Sequence, residues 1–137
     1  MGIRAAALAL TIAVQAAGAL AQEQRPPLTG ISAIRIANYN IPSTVITERQ
    51  QVGAVVRELS QLRSKPWRRS DARLSCYATL VLLSGAKTVT LFRVGPDAVV
   101  ERTQGKAQST YSIEVGQSDL PSVHAALAAI PPPKGCN

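Results

Sequence analysis

His124 is the only histidine in the chain, and it falls at the edge of a helical stripe formed by Leu120, Val123, Leu127 and Ile130. A histidine that binds metal or moves a proton needs ligating or carboxylate partners. At helical spacing the one candidate is Asp119, too close to the start of that helix to build a site with it. Cys76 and Cys136 are the only cysteines. A nucleophile made from His124 and Cys136 would require a free thiol. The simpler use of two cysteines in an exported chain is one Cys76–Cys136 disulfide. It would close a loop of about 60 residues, for which the chain-entropy model gives roughly 4 kcal/mol. The acidic residues Glu23, Glu48, Glu58, Asp71, Asp97, Glu101, Glu114 and Asp119 are spread over different elements, and the expected register brings no two together. The chain has no phosphate-binding glycine loop, no H-E-x-x-H and no C-x-x-C. The reading is a non-enzyme with no cofactor and no metal.

Positive charge is more concentrated. Arg63, Lys65, Arg68, Arg69 and Arg73 lie within eleven residues, with Trp67 among them and only Asp71 opposing. Such a cluster suits an anionic partner: a phosphate-bearing envelope glycan or lipid, or an acidic protein face. The plainer alternative is a solvated connection whose first charges complement a helix C-terminus, with Trp67 as a lid on the core. No nucleic-acid-binding module accompanies the cluster, so nucleic acid is not favoured.

The elements that must position these groups begin after residue 21. Met1 to Arg4 is a short positive segment, Ala5 to Ala17 is mostly apolar, and Ala19-Leu20-Ala21 is an A-x-A cleavage site. Residues 1–21 therefore read as a secretory signal peptide. The expected location is the periplasm or the medium, and no membrane span is expected in the mature chain. Residues 22–30, with Arg25-Pro26-Pro27, read as a flexible lead-in, and 31–137 as a single α+β domain.

Ile31 to Ala37 is expected to be a strand, followed by a loop through Pro42. A helix is expected from Thr47 to about Lys65, with a stripe of Val52, Val55, Val56, Leu59 and Leu62 and a Thr47–Gln50 capping box; Pro66 ends it. Four strands follow at 74–83, 88–94, 98–103 and 107–115, then a short helix capped by Ser118 or Asp119 and ended by Pro131. If Ser84 pairs with Lys87 across Gly85-Ala86, one face collects Leu74, Cys76, Ala78, Leu80, Leu82, Val89, Leu91, Ala98, Val100, Tyr111, Ile113 and Val115, with only Arg93 and Arg102 intruding. The fold class is then a long helix packed on a four- to five-stranded antiparallel meander, plus a short C-terminal helix.

On that register the opposite face carries Tyr77, Val81, Leu83, Phe92, Val94 and Val99 inside a polar rim that includes Thr90 and Glu101. An apolar patch with a polar rim marks an interface, unless the second helix covers it. The preferred function is an exported binding module acting by protein–protein contact through this face, with an unidentified protein or a second copy as partner. The alternative is a binder of an anionic envelope component through residues 63–73.

The order of strand, long helix and four-strand meander resembles cystatin-like folds. Cystatins carry Q-x-V-x-G in a hairpin; the corresponding hairpin here reads Leu83-Ser84-Gly85-Ala86-Lys87, and Gln51-Val52-Gly53 lies inside the helix without that spacing. The resemblance therefore implies a topology and not protease inhibition.

Overall fold

The computed structural model describes residues 25–38, 41–69, 73–104, 109–116 and 118–131. Residues 1–21, expected to be a signal peptide, and Glu23, Asp71 and Cys136 lie outside the described residues. Six strands and two helices follow in the order β1 (Ala33–Asn38), β2 (Ile41–Ile46), α1 (Arg49–Arg63), β3 (Ala78–Ser84), β4 (Lys87–Val94), β5 (Ala98–Thr103), β6 (Thr110–Glu114) and α2 (Pro121–Ala128). The strands form one antiparallel sheet in the order β2-β1-β3-β4-β5-β6. The class is α+β, as expected, but β2 runs through Pro42, where a loop is expected, and separates the observed order from a strand–helix–meander. Its Pro42 does not prevent pairing, because β2 is an edge strand bonded only to β1.

The central helix is 15 residues long, shorter at both ends than expected. Its cap is Glu48 rather than a Thr47–Gln50 box. The Glu48 carboxylate accepts from Gln50 N at 3.0 Å and Gln51 N at 2.7 Å. A charged acceptor at the positive end of the helix dipole does the work of two neutral ones. At the other end Pro66 cannot continue the helix, and the Trp67 indole N–H donates to the Leu62 carbonyl at 2.8 Å, satisfying one of the free C-terminal acceptors. Val52, Val55, Leu59 and Leu62 are buried, as their spacing requires.

Ser84 does pair with Lys87, and Gly85 takes a φ of 60°, which a two-residue hairpin turn demands of its first position. One step further on, the expected register fails. Leu82 pairs with Thr90 and Leu83 with Thr88, so Val89 is left over as a bulge. Because side chains alternate with a period of two, one extra residue reverses the face of everything after it in β4. Leu80 therefore stands beside Phe92 instead of Leu91, and Ala78 beside Val94.

Both helices lie on the same side of the sheet. Val52, Val55, Leu59 and Leu62 from α1, and Val123 and Ala126 from α2, share one core with Ile34, Ile36, Leu80, Leu82, Phe92, Val94 and Val99. Helix α2 begins without a side-chain cap of its own; neither Ser118 nor Asp119 serves. Instead Glu58, on α1, accepts from Ser122 N (2.9 and 2.7 Å) and Val123 N (3.0 Å). The two helices are thus tied by a carboxylate from one seated on the N-terminus of the other. No described helix is long and apolar enough to cross a membrane.

Candidate functional site

The expected apolar outer patch divides between the two faces. Phe92 (0% exposed), Val94 (4%) and Val99 (0%) sit in the core beneath the helices, while Val81 stays on the helix-free face beside Arg35 and Leu91. Tyr77 and Leu83 are half-buried. The physical cause is the Val89 bulge, which carries Phe92 and Val94 inward and turns Leu91 and Arg93 outward. The arginines that seemed to intrude on the core face, Arg93 and Arg102, are for this reason on the opposite one. Val89, Leu91 and Val100 are likewise absent from the helix-side core.

The same reversal takes Glu101 out of the polar rim and into the interior. It pairs with Phe92 on one side and Tyr111 on the other, and it is 0% exposed. A lone buried carboxylate would be costly, so its partners explain its presence. Arg63, in the last turn of α1, donates from Nε to Oε1 at 3.0 Å and from Nη2 to Oε2, a bidentate pair. Thr90 Oγ1 donates to Oε2 at 2.7 Å. Arg63 also lies over the Phe92 ring and donates to the Pro26 carbonyl.

A second cation reaches this carboxylate. Arg25 Nη1 is 3.5 Å from Glu101 Oε1. Its guanidinium lies over two aromatic rings, 5.0 Å from the centre of Trp67 and 4.9 Å from that of Tyr111. Burial pushes the Arg25 guanidinium below its ordinary range; Glu101 opposes that shift and Arg63 adds to it. Arg25 Nη1 has no hydrogen-bond acceptor. The described part of the lead-in expected at residues 22–30 is therefore not featureless. From Arg25 onward it is seated, with Leu28 and Ile31 packed on the core.

Arg63 thus leaves the proposed anion-binding set, because its charge is consumed internally. Lys65, Arg68, Arg69 and Arg73 remain exposed. Arg68 exchanges two backbone hydrogen bonds with Ser112, at 2.9 and 2.8 Å, as a one-residue extension of the sheet beyond β6. Pairing carries its row through Ser112, Val100, Arg93 and Thr79 to Ala37. The next row runs Thr110, Arg102, Leu91, Val81, Arg35, Val45. These two rows make up much of the helix-free face. They hold four arginines, of which Arg35, Arg68 and Arg102 are exposed, while Arg93 is half-buried over the Tyr77 ring at 5.2 Å. Glu114, two residues beyond Ser112, is the acidic side chain at one end of that face.

Compared with known proteins, the chain matches no family model, no curated protein and no solved structure. Its function has to be argued from its own residues.

Among the described residues, His124 and Cys76 are not grouped with other candidate reactive side chains. His124 lines a cavity of about 470 Å³ with Val94, Gly95, Pro96 and Leu127, and its Nε2 is buried without a hydrogen-bond partner. Among the described residues, no three His, Cys, Asp or Glu side chains are grouped so as to hold a metal ion. No cysteine among them is free, and the Cys136 end of the expected bridge lies outside the described residues. Sequence reasoning missed the Glu101–Arg63–Arg25 cluster. One signal for it was available: Arg63 follows Leu59 by four residues, which continues the buried stripe of α1.

Proposed function

We propose that this chain is an exported, non-enzymatic binding module that holds a phosphate-bearing envelope lipid or glycan against the helix-free face of its sheet. The observation that supports this reading is the placement of Arg35, Arg68, Arg93 and Arg102 on one face, with both helices on the other. Arginines on a fixed sheet hold their guanidinium groups at defined spacings, and each can bind a phosphate through two parallel N–H donors. The bridge between Arg68 and Ser112 joins the basic connection to the sheet at this face, whereas Arg69 turns to the other side and donates to Ser109 Oγ at 3.4 Å. Export rests on the leader in residues 1–21 and its A-x-A site.

The test is binding of the mature protein to phosphatidylglycerol vesicles, with phosphatidylcholine vesicles as control. Binding to the anionic vesicles should fall steeply between about 0.1 M and about 1 M salt, as the screening length drops from about 10 Å to about 3 Å. Replacing Arg35, Arg68 and Arg102 together by alanine removes exposed side chains only. At about 1 kcal/mol per arginine near an anionic surface, the loss should be about 150-fold. Binding that ignores salt, or survives the triple variant, would overturn the proposal.

A further inference from the structure

We propose that Glu101, Trp67 and Tyr111 form a guanidinium-recognition box, closed in this structure by the chain's own Arg25 and open in trans to an arginine side chain of a partner segment. The walls are two aromatic rings about the same distance from the Arg25 carbon, 5.0 and 4.9 Å, and the floor is a carboxylate that is 0% exposed. Two rings against a flat cation, with one carboxylate within 3.5 Å of it, select a guanidinium over a neutral or anionic group.

The charge balance shows that Arg25 is a ligand of this box and not part of its frame. Arg63 holds Glu101 through two donors, and Thr90 adds a third. With Arg25 withdrawn, the carboxylate keeps its counter-charge and its hydrogen bonds, so the empty box is already neutral. With Arg25 present, two guanidinium groups share one carboxylate, and Arg25 Nη1 has no acceptor. Removing one partner of a buried pair is normally costly because it strands the other. Removing Arg25 strands nothing.

The segment that delivers Arg25 is also built to let go. Pro26 and Pro27 have no N–H with which to bond the body of the protein. The Pro26 carbonyl is held by Arg63, a residue that stays in place without it. Residues 25–32 belong to no strand or helix. Trp67 is the only tryptophan in the chain, so its fluorescence reports directly on what lies against the box.

The experiment titrates a synthetic peptide with the sequence of residues 22–28 into the mature Arg25→Ala protein and into the wild type, following Trp67 emission. A second peptide carries alanine in place of its arginine. The arginine peptide should bind the variant saturably and the alanine peptide should not. If the chain's own arm fills the box about nine-tenths of the time, the wild type should bind about tenfold more weakly. Equal affinity for both proteins, equal binding of both peptides, or no saturable change in the folded variant would overturn the proposal. Failure of Arg25→Ala to fold would overturn it too, because the empty box would then not be stable.

Discussion

Glu101→Gln tests the charge balance of the interior most directly. The substitution keeps the side-chain shape and one acceptor oxygen, but it removes the only counter-charge that Arg63 and Arg25 have among the described residues, where their side chains are 13% and 9% exposed. Breaking a buried pair from one side costs about 3–5 kcal/mol, because the remaining cation stays desolvated and unpaired. Two cations are stranded here, so the expected loss is at least about 3 kcal/mol. Arg25→Ala removes a cation from two ring contacts, each contributing on the order of 0.5–2 kcal/mol, but it also ends a desolvation cost and the repulsion from Arg63. Its net cost should stay below about 1.5 kcal/mol. The order matters most in combination: once Glu101 is glutamine, Arg25→Ala should be neutral or stabilising, since it then deletes a stranded charge. Urea unfolding followed through Trp67 gives the midpoint shift, with an unchanged slope as the check on two-state behaviour. A Glu101→Gln cost under about 1 kcal/mol, or an Arg25→Ala cost as large as that of Glu101→Gln, would refute the assignment.

Other consequences are simpler to read. Phe92→Ala empties a fully buried position between Leu80 and Glu101 and should cost about 3–5 kcal/mol, measured by denaturant unfolding. An exposed residue there would cost less than about 0.5 kcal/mol. Glu58→Ala removes the acceptor for two N–H groups of α2 and should cost about 1–2 kcal/mol, with hydrogen exchange at Ser122 and Val123 accelerated ahead of α1. If the expected Cys76–Cys136 bridge forms, reduction should lower stability by roughly 4 kcal/mol, and free thiols should be undetectable before reduction.

The sequence by itself determined the periodic elements. The stripe through Val52, Val55, Leu59 and Leu62 has no stable home except against a sheet, and Pro66 can only end a helix. The strands from Ala78 to Glu114 and the Gly85 turn follow from alternation and from the backbone freedom of glycine. Tertiary structure decided which way those strands faced. Alternation is symmetric: a strand reading V-V-E-R-T turns toward the helices either Val99 and Glu101 or Val100 and Arg102, and nothing local chooses between them. The choice fell to one unpaired residue, Val89, whose bulge turned Phe92 inward and Arg93 outward. Arg63, arriving from a helix 38 residues earlier in the chain, made a buried Glu101 tolerable. The candidate arginine face and the Arg25 box both descend from that reversal. Hydrophobic spacing is written into neighbouring residues, whereas strand register and charge pairing join residues far apart in sequence, so only the folded chain could settle them.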